Sequence, residues 1–159
     1  MNYRMIARLL GALLFFVALS MVVPLGVSIL YNDGDALAFV YALAAGVVAS
    51  AVLYLPFRRS GGQISHLEGF AVVTLTWLLI GFLGALPYIF TGALPSVTDG
   101  VFESVSGFTT TGSTVVTEIE ALPHGVHMWR AMTQWLGGMG IIVLSVAILP
   151  LLGVGGMQL

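Results

Sequence analysis

Apolar residues in this chain fall in long unbroken runs. Four stretches of 22 residues each carry no formal charge: Leu9–Leu30, Ala36–Phe57, Gly69–Phe90 and Ala131–Leu152. About 20 apolar residues suffice for a helix to cross a hydrocarbon core of about 30 Å. Each stretch therefore predicts a membrane-spanning helix. The first follows Arg4 and Arg8, as the apolar part of a signal peptide would. It is longer than the roughly 7–15 residues of such a region, and no small-x-small cleavage pattern follows, so it reads as a retained helix. Pro24 and Gly26 are positions where it can kink, although both residues are ordinary in membrane helices.

The polar segments between the runs differ in kind. "YNDGDA" joins the first two runs as a short turn, and "RRSGGQISHLE" joins the second to the third. In the latter, Gly61–Gly62 is a flexible point and Ser65-x-x-Glu68 has the pattern of a capping box. The connection from Thr91 to Arg130 is longer, 40 residues, which is long for a structureless loop. Within it "PSVTDGVFESVSGF" predicts a short helix. Ser96 and Asp99 carry a second capping signature, Val97, Val101, Phe102 and Val105 form one apolar face, and the helix ends near Gly107.

Such a helix is too short to span. Followed at once by "TTTGST", it predicts a re-entrant loop that enters the membrane as helix and returns as extended backbone. The buried helix C-terminus puts partial negative charge where the strip begins, which favours a cation. Carbonyl and hydroxyl oxygens of the strip are hard ligands suited to a dehydrating alkali cation. Gly112 can take backbone angles that a threonine resists. No carboxylate lies in the strip, which argues against a high-affinity divalent site.

Composition strengthens the membrane reading. Of 159 residues, 58% are hydrophobic and only 8% charged, against roughly a quarter charged in soluble domains. The absence of cysteine excludes disulfides and thiolate metal sites. All five basic residues are arginines, with no basic tract for nucleic acid. Arg4, Arg8, Arg58 and Arg59 lie at one end of the first two runs, while Asp33 and Asp35 lie at the other. The positive-inside rule then places the N-terminus in the cytoplasm, with Arg130 on the outer side against the bias.

Other polar residues are weaker candidates. Glu103 on the short helix is a supporting residue, and the alternative is a buried carboxylate satisfied by backbone donors. Asp99 reads as a helix-capping residue, and Glu118 and Glu120 as a solvated outer loop. His124 and His127 share a helix face, but no further ligands complete a metal site. Gln134 either bonds the re-entrant loop or caps a helix. Gly137–Gly140, with Gly138 among them, permits close backbone approach behind the strip. Trp129, Trp135, Tyr31 and Tyr88 suit membrane interfaces.

"FESVSGFTTTGST", with "QWLGGMGIIVL" and "ILPLLGVGGMQL" beyond it, resembles the membrane subunits of bacterial Trk-type potassium uptake systems, within the Trk/Ktr/HKT family. The resemblance covers essentially the whole chain. It implies an all-α integral membrane protein with four transmembrane helices, one re-entrant pore helix and a filter loop. Residues 1–60 then form an N-terminal two-helix hairpin, and residues 61–159 the first of four helix–pore loop–helix repeats. The family's filter positions fall on Thr110, Thr111, Gly112, Ser113 and Thr114, where potassium would bind, with Thr109 beside them. Also implied are lipid contact, the remaining repeats or further copies around one axis, a homodimer, and a cytosolic nucleotide-binding regulatory subunit. The setting is the bacterial inner membrane. No cofactor is implied beyond the transported potassium, and no enzymatic activity. The family's intramembrane gating loop and gate arginine belong to later repeats, so the chain reads as the N-terminal portion of a longer pore. Two rival readings are a non-conducting packing module and a secondary cation symporter.

Overall fold

The computed structural model describes residues 2–60 and 65–148, and all their regular structure is helical. Helix α1 spans Tyr3–Ser20 and α2 spans Val22–Tyr31. They are two parts of the first apolar run, broken at Met21. The break lies three residues before Pro24, whose ring clashes with the preceding turn and whose nitrogen donates no hydrogen bond. The α2–α3 turn uses left-handed backbone at Asn32 (φ 57°) and Gly34 (φ 79°). Helix α3 follows over Ala36–Tyr54 and runs into a 3₁₀ turn at Leu55–Phe57.

Helix α4 covers His66–Thr91, and its start is the predicted capping box. Glu68 N donates to Ser65 Oγ at 3.3 Å, and Ser65 N donates to Glu68 Oε2 at 3.0 Å. Asn2 N also donates to Glu68, tying the start of the chain to α4. The short helix α5 covers Val97–Phe108, capped by Ser96 Oγ, which accepts from Asp99 N at 3.1 Å. A 3₁₀ turn at Ile119–Ala121 precedes α6, His124–Ile148. Gly61–Gly62, the end of the fourth run and the "GGMQL" segment lie outside the described residues.

Helix α6 begins seven residues before Ala131, where the uncharged run starts. Arg130 bounded the run in sequence, yet it sits inside the helix because its charge is paired there, 3.2 Å from Glu103. A second departure concerns α5. Of the anticipated apolar face, Val97, Phe102 and Val105 are exposed and Val101 is half-buried, and the face packed into the chain holds Gly100, Glu103, Ser104, Ser106 and Gly107. Small residues let α5 lie close against α4, while its apolar side points away from this chain.

The core is built where α1, α3, α4 and α6 meet. Met21, Phe39, Tyr88, Val126 and Trp129 are all nearly or fully buried there. Trp129 Nε1 donates to Gly84 O at 2.9 Å, and its ring meets Phe108 edge-on at 6.2 Å. Trp129 and Tyr88 are thus core anchors and not interfacial residues, because α6 turns its indole inward. Trp135 and Tyr31 are exposed. The α2–α3 turn docks on the start of α6: His124 N donates to Asp33 Oδ2 at 2.7 Å, and the imidazole stacks on Tyr31 at 4.0 Å.

The outer surface is apolar, with Phe16, Leu30, Phe70 and Leu78 among many exposed large side chains. In water this would be costly, and in lipid it is the stable arrangement. Among the described residues, three helical stretches are long and apolar enough to cross a membrane: Tyr3–Tyr31, Ala36–Phe57 and Leu67–Thr91.

Candidate functional site

Ser106, near the C-terminus of α5, organises the strip that follows. Its carbonyl accepts from Thr111 N at 3.0 Å and from Gly112 N at 3.5 Å. Its hydroxyl donates to Ser113 O at 2.6 Å. The chain is thereby folded back over the last turn of the helix. This reversal requires left-handed backbone twice, at Thr110 (φ 58°) and Gly112 (φ 76°). Glycine takes that conformation freely, whereas a β-branched residue there stores strain of about 1–3 kcal/mol. The sequence pointed to Gly112 but gave no sign of Thr110.

The far end of the strip is held by charge. Glu103 accepts from Val115 N at 2.7 Å and from the Thr114 hydroxyl. Its second oxygen accepts from Arg130 Nε at 3.2 Å, and Arg130 Nη2 also donates to Thr114 Oγ1 at 3.2 Å. The Glu103 side chain is only 3% exposed, so its charge is stable only because these donors surround it. A backbone donor, Val115 N, satisfies part of Glu103, as one sequence alternative expects, and through Arg130 the carboxylate also ties α5 to α6. Arg130 was missed as its partner. The available signal was its position against the charge bias, since an arginine placed there needs a local anion.

Helix α6 packs behind the strip. A Cβ on Gly137 would overlap the carbonyl of Phe108, the last residue of α5, so only glycine lets the two backbones come together. A Cβ on Gly138 would meet only Thr110 Cγ2, at 3.9 Å. Gly137 is therefore the close-approach position in the "GGMG" segment, and Gly138 makes an ordinary contact. Thr133 is fully buried against Gly107. Gln134 lines a small cleft beside Glu103, Ser106 and Arg130, but its side chain forms no hydrogen bond among the described residues. It neither bonds the loop nor caps a helix, because it lies well inside α6.

What remains open is chemically uniform. Residues Thr109 to Val115 are exposed within this chain. Among the described residues, no donor reaches the carbonyls of Thr110, Thr111 or Gly112. Thr109 caps α5, its hydroxyl donating to Val105 O at 2.8 Å and lying 2.8 Å from Thr111 Oγ1. The result is a short row of neutral oxygens at the negative end of a helix dipole. Such a row is suited to replace water around a monovalent cation.

The sequence profile of the family described as "TrkH: Cation transport protein" matches residues 36–159. The chain is similar over its whole length to the Trk system potassium uptake protein TrkH of Halomonas elongata, at 51% identity. It is 44% identical, again over 100% of its length, to the TrkH of Escherichia coli K12. In both comparisons it spans only 33% of the relative's length. The crystal structure of the potassium transporter TrkH from Vibrio parahaemolyticus superposes with a TM-score of 0.91 at 42% identity. That match covers 99% of this chain and 34% of the solved one. The chain belongs to the TrkH cation transport protein family.

Proposed function

We propose that this chain contributes one wall of a potassium uptake pore, with Thr110–Thr114 as one of four filter strands. The observation that carries the reading is the row of carbonyls on Thr110, Thr111 and Gly112, at the C-terminus of α5, that accept no hydrogen bond among the described residues. These oxygens are the ligands for the dehydrated ion. Ser113 and Thr114 belong to the strip but act mainly as anchors, held by Ser106 and by the Glu103–Arg130 pair. Thr109, Glu103 and Gly138 support the strip, and Gln134 borders it.

In this reading residues 1–60 are a peripheral hairpin and residues 61–159 one helix–pore loop–helix repeat. The relatives, Trk system potassium uptake proteins about three times as long as this chain, support further repeats completing the ring. The arginine-rich end faces the cytoplasm of a bacterial inner membrane. Inward movement then follows the membrane potential, worth about 2.3 kcal/mol per charge per 100 mV. The complete subunit pairs with a second copy and is gated by a cytosolic nucleotide-binding subunit. No covalent step is needed, so the chain is not an enzyme.

The test is Gly112→Ser in the complete transporter, with potassium and sodium uptake measured in cells lacking other potassium systems. A serine at φ 76° strains or turns the strip. The expected result is lower potassium uptake and a reduced preference for potassium over sodium. Unchanged uptake with unchanged preference would contradict the assignment.

A further inference from the structure

Away from the strip, α1 and α3 leave a groove between them. Met5, Arg8, Ala12 and Phe15 recur at helical spacing on one face of α1. Val47, Ala51 and Tyr54 do the same on α3. The two helices are locked together one position away, where Ser50 Oγ donates to Gly11 O at 2.8 Å. Beside that lock the small side chains of Ala12 and Ala51 leave a hollow. One lobe, of about 430 Å³, is bounded by Phe15, Val47, Ala51 and Leu55. A second, of about 280 Å³, reaches Met5, Arg8 and Leu9, and Ala12 and Tyr54 line both.

The groove has an apolar shaft and a cationic end. From Arg8 to Phe15 it follows α1 for about 10 Å, within one leaflet of a hydrocarbon core of about 30 Å. Arg8 lines the end nearer the N-terminus. Arg4 lies one turn earlier, and Arg58 and Arg59 follow the 3₁₀ turn at the same end. Arg8 gives Nη1 to Ser60 O at 2.5 Å, one of the five N–H donors of a guanidinium. The acid described at this end, Glu68, is buried and receives Asn2 N and Ser65 N. A single hydrocarbon chain fits the shape, and an anionic headgroup fits the charge.

We propose that the α1–α3 groove binds an anionic glycerophospholipid of the leaflet on the arginine side. One acyl chain lies along Ala12, Phe15, Val47 and Ala51, and the phosphate rests on Arg8. The site is independent of the filter assignment, since it shares no residue with it.

The test is photo-cross-linking on the full-length protein in phosphatidylcholine vesicles. The vesicles carry a trace of either phosphatidylglycerol or phosphatidylcholine with a diazirine in one tail. The phosphatidylglycerol probe is expected to label peptides carrying Phe15 and Val47 roughly fivefold more than the phosphatidylcholine probe, the worth of one arginine at an anionic surface. Arg8→Gln should bring the two probes level, Arg8→Lys should keep the preference, and Ala51→Phe should lower both signals. Should Ala51→Phe fail to fold, the two Arg8 variants decide. Equal labelling by both probes in the unsubstituted protein, or a preference untouched by Arg8→Gln, would overturn the proposal. So would absence of label from the groove, the result if another protein segment fills it.

Discussion

Glu103 holds a negative charge almost wholly out of solvent, and Arg130 is the counter-charge that makes this tolerable. Removing one member of a buried pair typically costs about 3–5 kcal/mol, because the other is left uncompensated. Arg130→Met is therefore expected to destabilise the purified protein by about that amount and to release Thr114. Adding Glu103→Gln to Arg130→Met should recover part of the loss. Thermal unfolding of the two single variants and the double variant measures the coupling, and strictly additive effects would show that the pair does not act as a unit. At this scale the sequence was partly legible. Gly112 and Glu103 stood out as residue types odd for their surroundings. Thr110 did not, because nothing local marks a β-branched residue for left-handed backbone. Its conformation follows from Ser106 pulling the strip back over the helix end.

Between elements, close approach and capping decide the arrangement. Gly137→Ala places a methyl group on the Phe108 carbonyl and must push α6 off the base of the strip. Overpacking of this kind costs about 1–3 kcal/mol, and ion uptake should fall with it. Gly138→Ala meets only an ordinary contact and should leave both stability and uptake near the original. Equal damage from the two substitutions would contradict this packing.

The contact between the α2–α3 turn and α6 carries a pH signature. Desolvation pushes the Asp33 carboxyl up, but hydrogen bonds and charge from His124 outweigh it and hold the pKa below its ordinary 3.8. A lowered carboxylate pKa contributes stability that is complete above the ordinary value and is lost as pH falls through the lowered one. Thermal stability measured from neutral pH to below 3.8 should therefore show an acid limb that is shallower in Asp33→Asn. Helix starts with capping boxes, at Ser65 and Ser96, were readable because the signal is local. The extent of α6 was not, since the charge of Arg130 bounds the apolar run while its partner Glu103 lies 27 positions away.

Across the described residues many large apolar side chains face outward although an apolar core exists, and α5 turns small and polar side chains toward its neighbours. That outward apolar surface explains why the membrane class was legible from composition, while the facing of α5 was not. Helical periodicity identifies an apolar face without saying whether protein or lipid meets it. The chain spans about a third of the relatives it matches, and in the proposed reading its open carbonyls are one side of a larger arrangement. Ion occupancy tests this most directly. A crystal structure of the complete transporter grown with rubidium or thallium as the potassium substitute should show anomalous density beside the carbonyls of Thr110, Thr111 and Gly112. Bound ions elsewhere in the pore, with none at these three oxygens, would contradict the account.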